Sequence, residues 1–153
     1  MSQDWFSEGN IVETLARSLE RQGWQVALTG NADQGLGLAA LRDERELLVE
    51  VKGFPSAPSA RGPRAGQPKP TRMASQARQW YAYALLGVTL KRHAHPDAGI
   101  ALALPDHRTY RSLIGRTARS LRALEVGVLL VSASGDIETV IEPAVAEPSG
   151  RER

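Results

Sequence analysis

Two short stretches of this chain are apolar at almost every position: Gly99-Ile-Ala-Leu-Ala-Leu104 and Val126-Gly-Val-Leu-Leu-Val-Ser132. Successive side chains of a strand point to opposite faces, so a strand with no polar side must be covered on both. Between the two lies a segment, about 107–124, with Tyr110, Leu113, Ile114, Leu121 and Leu124 on one side of a helix. A sheet with helices on both faces satisfies these demands, and the rest of the chain must be read around it.

Upstream, Ile11, Val12, Leu15, Ala16 and Leu19 recur at helical spacing over 10–22. Asn10 is placed to cap that helix, with Glu13 completing a capping box and Gly23 stopping it. Trp24, Val26 and Leu28 alternate as a short strand, and 29–34 form a polar loop. Residues 35–41 and 46–52 read as two strands around the turn Arg42-Asp43-Glu44-Arg45. Residues 54–70 hold five prolines and no acid, which predicts a long, mobile, basic loop. A helix follows over about 71–90, capped by Thr71, with Met73, Ala77, Trp80, Tyr81, Ala84, Leu85 and Val88 as its apolar face. A final strand spans 137–141. The expected fold is one α/β domain over residues 1–142, a mixed central β-sheet flanked by helices in the order α-β-β-β-α-β-α-β-β. Residues 143–153 are expected to form a flexible tail.

The chain has 153 residues, one ordinary domain's worth, and no cysteine. That removes disulfide scaffolds, thiolate zinc sites and cysteine nucleophiles. No run is apolar enough to span a membrane, and Met-Ser-Gln-Asp-Trp-Phe lacks the basic and apolar regions of a signal peptide, so a cytoplasmic protein is expected.

The net charge of +2 conceals a segregation: residues 1–53 carry −4, residues 54–124 carry +10, and residues 125–153 carry −4. A middle third this basic suits a polyanionic partner, most simply nucleic acid, although a solvated arginine-rich surface gives the same count. In the helix over 107–124, Arg108, Arg111, Arg116, Arg119 and Arg122 have no acid among them. They are free to contact phosphates or the acids of another segment.

The sharpest local pattern is Leu47-Leu-Val-Glu50-Val-Lys52-Gly53. Strand alternation gives Glu50 and Lys52 a common face, where such charges are costly unless wet or used. One reading is a salt pair at the end of an edge strand. The other is a phosphodiesterase site in which Glu50 holds magnesium and Lys52 orients or deprotonates the attacking water. His93-Ala-His95 is read as part of a solvated loop, since that spacing fixes no metal geometry.

With a helix bearing Glu13 before it, a three-strand meander ending in Glu50-Val51-Lys52-Gly53, and Gln76 or Gln79 on the next helix, the chain resembles the PD-(D/E)XK nuclease superfamily over residues 8–140. The resemblance implies a restriction-endonuclease-like domain that hydrolyses phosphodiester bonds of DNA with magnesium, or manganese in its place. It implies Glu50, Lys52 and Gln76 as catalytic residues. Glu50, Val51, Asp33 and Glu13 are the implied metal ligands. Arg61, Arg64, Lys69, Arg72 and Gln79 are the expected nucleic-acid contacts, and a homodimer is one assembly that duplex cutters of this type adopt.

The superfamily's aspartate belongs on the strand before Glu50. Pairing Leu41 with Glu46 puts Gly37 opposite Glu50, so the second carboxylate must come from Asp33, folded back through the glycines at 35–37, or from Glu13. The alternative is a nuclease-fold module that has lost catalysis and binds nucleic acid or a protein.

Overall fold

The computed structural model describes residues 7–31, 35–55 and 70–145. Its elements run α1 (Glu8–Arg21), β1 (Gln25–Asn31), β2 (Gly35–Arg42), β3 (Arg45–Val51), α2 (Pro70–Ala94), β4 (Gly99–Pro105), α3 (Arg108–Ala123), β5 (Val126–Val131) and β6 (Ile137–Ile141). The order is the expected one. The six strands form one mixed sheet in chain order, β1-β2-β3-β4-β5-β6. β3, β4 and β5 are parallel to one another, and the remaining pairs are antiparallel.

Every residue of β4 and β5 is buried, because the two faces are claimed by different helices. On one face Ile11, Leu15 and Leu19 of α1 pack over Leu47, Val49, Ala101, Ala103 and Leu129. The alanines make room for the large side chains of α1. On the other face α2 and α3 cover Ile100, Leu102, Leu104, Val128 and Leu130 with Ala77, Tyr81, Val88, Tyr110, Ile114 and Leu121. A Leu102→Ala change at this wholly buried position would cost about 2–5 kcal/mol.

The hairpin register is as read from sequence: Leu41 pairs with Glu46 and Gly37 with Glu50. The turn is tighter than expected. Asp43 and Glu44 both have positive φ (52° and 65°), the backbone of a two-residue hairpin loop that matches strand twist.

Several boundaries move. The cap of α1 is Ser7, whose hydroxyl accepts from the Asn10 amide at 3.2 Å; Asn10 lies inside the helix and Glu13 pairs with Arg17 one turn on. A serine three residues earlier outcompetes Asn10, so the capping box with Glu13 does not form. β1 extends to Asn31, since its antiparallel pairing with β2 outweighs the low strand propensity of Thr29-Gly30-Asn31. α2 runs on to Ala94, so His93 lies in its last turn rather than in a loop. Pro143 packs on Gly127 and Val145 on Gly99, which carries the packed chain past residue 142. Residues 56–69 and 146–153, where most of the basic loop and of the tail were expected, lie outside the described residues.

Candidate functional site

Glu50 is the next-to-last residue of β3, one position from the strand end. Its side chain lies on the α2 face and is only 12% exposed. α2 reaches it with two residues one turn apart. Gly87 lies so close that a Cβ there would stand 2.9 Å from the Glu50 carboxylate, and Lys91 Nζ donates to Glu50 Oε2 at 2.5 Å. The missing side chain at 87 lets the helix approach the carboxylate, and the ammonium one turn later neutralises it.

Lys52 does not join Glu50. β3 ends at Val51, the Lys52 amide bonds the Ala103 carbonyl, and Lys52 Nζ comes to 3.6 Å from Glu8 Oε1 on α1. Glu8 Oε2 also accepts from the Leu36 amide at 3.4 Å. The two charges expected as one constellation are therefore held by two helices on opposite sides of the sheet. Glu8, in the first turn of α1, is the acid that meets Lys52; Glu13 faces solvent with Arg17. Sequence reading missed Glu8 because an acid in a first helical turn is ordinary dipole compensation. It missed Lys91 because that residue was counted only as part of the basic middle segment. Gly87 and Lys91, one turn apart on one helix face, were the available signal.

Opposite Glu50, Gly37 is closed to any side chain. A Cβ there would lie 2.6 Å from the Val49 carbonyl oxygen and 3.0 Å from Thr29 Oγ1. Glycine is retained here by close backbone approach, not by unusual φ. Val51 is buried on the α1 side, with Val49. Gln76 and Gln79 are exposed near the start of α2. Gln79 lies two turns before Gly87, about 12 Å at 1.5 Å per residue, and Gln76 lies farther off. α2 is 25 residues long and outreaches the seven-residue strand it crosses, so its first turns lie beyond the Glu50 contact. Asp33, Arg61, Arg64 and Lys69, and the side chain of Arg72, lie outside the described residues.

Around Glu50 opens a cleft of ≈ 570 Å³ bounded by Thr29, Gly37, Leu48, Gly87, Leu90 and His95. Among the described residues no three His, Asp or Glu side chains come together as a metal centre. Among the described residues, the site offers magnesium one carboxylate already bonded to an ammonium, facing a glycine that admits no second carboxylate, whereas magnesium asks for several oxygen ligands.

Beyond β3, Gly53 and Phe54 are fastened to the start of α3. Tyr110 Oη donates to the Gly53 carbonyl at 2.6 Å, and Phe54 stacks on His107 with ring centroids 3.9 Å apart. Burial pushes the Tyr110 hydroxyl far above its ordinary range, so it remains a donor throughout the physiological pH range. His107 caps α3: its Nδ1 accepts from the Thr109 amide at 3.1 Å.

No helix among the described residues is long and apolar enough to cross a membrane. No protein-family model matches the chain, and no curated protein matches it in sequence. Among the solved structures that the chain matches, two are crystal structures of related description. One is an XisH family protein from Nostoc punctiforme, with 18% identity over 86% of this chain and 98% of that one, at a TM-score of 0.54. The other is an fdxN element excision controlling factor protein from Anabaena variabilis, with 18% identity over 87% of this chain and 97% of that one, at a TM-score of 0.49. At such identity the likeness is one of architecture: nearly the whole of the XisH family protein is spanned by this mixed sheet and its flanking helices.

Proposed function

We propose that this chain is a nuclease-fold protein that binds DNA and does not cut it. The reading places it with the restriction-endonuclease-like proteins, on the strength of its element order and the Glu50-Val51-Lys52-Gly53 strand. The observation that carries the loss of catalysis is Gly37. The position beside Glu50 where a second metal-binding carboxylate belongs has no room for one, and Lys91 occupies the carboxylate instead. The charge of +10 over residues 54–124 supplies the attraction for a polyanion.

The test is a pair of assays on one preparation. Retardation of duplex DNA should be equal in magnesium and in EDTA. Duplex, branched and single-stranded substrates should all stay intact with magnesium or manganese.

A second reading has one observation in its favour. β1 ends at Asn31 and β2 begins at Gly35, two residues from Gly37 and at the Lys52 end of β3, and Asp33 falls between them in sequence. In that reading the chain is a magnesium-dependent endonuclease, Asp33 and Glu50 are its metal ligands, and Lys52 handles the water proton. Metal-dependent cleavage that Glu50→Gln and Asp33→Asn each abolish would establish it and overturn the first.

A further inference from the structure

We infer that the outer face of α3 is the surface that seats the phosphate backbone of a DNA duplex. This rests on the DNA-binding reading and assigns it a location that the sequence patterns did not favour. α3 buries Tyr110, Ile114 and Leu121 and turns Arg108, Arg111, Ser112, Gly115, Arg116, Arg119 and Arg122 outward. Arg111 is committed: its Nε is 2.5 Å from Asp106 Oδ1 and its Nη1 3.1 Å from Glu138 Oε2. Among the described residues Arg108, Arg116, Arg119 and Arg122 have no ion-pair partner.

The arrangement is unfavourable for the helix itself. The first turn contains no acid and begins with Arg108, where the helix dipole disfavours a cation. Arg116, Arg119 and Arg122 follow at three-residue intervals, so like charges are neighbours. Gly115, in the middle of the face, lowers helix propensity relative to alanine and leaves open space above it. An anionic partner relieves the repulsion, and the notch admits its close approach.

The face is about 21 Å long from Arg108 to Arg122, at 1.5 Å per residue. It holds no exposed aromatic ring, since Tyr110 is buried. Unpaired bases bind largely by stacking on such rings, so a platform of guanidinium and hydroxyl groups suits a paired backbone. α2 packs against β3 and β4, α3 packs against β5, and the helices touch each other. α2 therefore stands between the arginine face and the Glu50 cleft, and a duplex seated on α3 is kept from Glu50.

The experiment is fluorescence anisotropy of a labelled DNA duplex, titrated at several salt concentrations, on the full chain. Two variants are compared: Arg116→Gln with Arg119→Gln and Arg122→Gln, and as a control Arg17→Gln with Arg21→Gln on α1. The α3 variant should lose at least about tenfold in affinity, and its log–log salt slope should become shallower by about 2 to 3. Its melting temperature in low salt should be equal to or higher than that of the unaltered chain. The control should retain both affinity and slope. Unchanged slope in the α3 variant overturns this face while leaving the DNA-binding reading intact. Absence of duplex binding by the unaltered chain overturns both. Tighter binding of single strands, or of poly-glutamate, than of the duplex overturns the choice of partner. A lowered melting temperature in the α3 variant shows that the arginines serve the fold and counts against the proposal.

Discussion

Along the Glu50-Val51-Lys52 stretch each charge has an opposite charge built against it, Glu50 by Lys91 on one side of the sheet and Lys52 by Glu8 on the other, whereas four arginines along α3 have none among the described residues. The first region combines partial burial with compensation; the second combines exposure with repulsion. Charge that a fold compensates internally is spoken for, and bringing a ligand to it means breaking a pair. Charge left uncompensated on a rigid surface weakens the free protein slightly and is available at once to a partner. By this measure the motif that looks most catalytic in the sequence is the less available site.

The strongest attempt to break the contrast is Gly37→Asp, which restores the carboxylate that the superfamily resemblance asks for. The Val49 carbonyl lies where the new Cβ would be, so the substitution should destabilise the domain by about 3 kcal/mol and create no magnesium affinity. Urea denaturation with and without magnesium measures both. Gain of magnesium-dependent stability would reopen the cleft as a metal site.

Next in size is Lys91→Met. It leaves a mostly buried carboxylate without its cation and should cost about 2 kcal/mol, less than the 3–5 typical of fully buried pairs because Lys91 is 31% exposed. Pairing it with Glu50→Gln should recover most of the loss. A neutral Lys91→Met would mean that the cleft's charges are as independent as those of α3.

A third test sharpens the α3 side through pH. Burial, followed by the charge of Arg108, holds the His107 imidazole below its usual value of 6.5. The unfolded chain therefore takes up the proton first. The cap's contribution is complete above the unfolded value and is lost as pH falls through the folded one. Protonated Nδ1 cannot accept from Thr109. The urea midpoint should fall on acidification from pH 7 to 5, and this component should vanish in His107→Asn, which caps without titrating; His107→Ala should cost about 1 kcal/mol at neutral pH.

The smallest effect is expected from Asp106→Asn. Hydrogen bonding to Arg111 lowers the Asp106 carboxyl, so its contribution is present above the ordinary carboxylate range and lost as pH falls through the folded value. Both partners are at least partly exposed, and the change should stay below about 0.5 kcal/mol at neutral pH. It should also leave Arg111 held by Glu138 alone and strengthen DNA binding slightly.

The sheet and its register were legible because they rest on alternation and on a short turn: two apolar runs required cover on both faces, and the Asp43-Glu44 turn fixed Gly37 opposite Glu50. The site was less legible because its members come from helix positions far apart in sequence. Pattern alone says that Glu50 and Lys52 share a face. It does not say that β3 stops at Val51, that α1 offers Glu8 to Lys52, or that α2 is long enough to bring Lys91 rather than Gln76 to Glu50. Those facts depend on helix length and docking, which periodicity does not encode. The arginine face of α3 was legible as charge but not as availability, since only packing reveals that Asp106 and Glu138 engage Arg111 alone.

The cover that α1 provides has a consequence for how this chain comes into being. Ile11 and Leu15 rest in a core completed by Ala101, Ala103, Leu129 and Val131, and α1 touches β4 and β5 as well as its sequence neighbours. During synthesis the amphipathic α1 emerges long before those strands exist. At translation speeds of about 5–20 residues per second, its apolar stripe waits roughly 6–24 seconds for β5. A nascent chain halted before Val126 holds a half-built sheet and a sticky helix, the kind of species that chaperones engage. Shortening that wait by moving α1 behind β6 in a circularly permuted chain should speed productive folding without altering a single contact of the finished core.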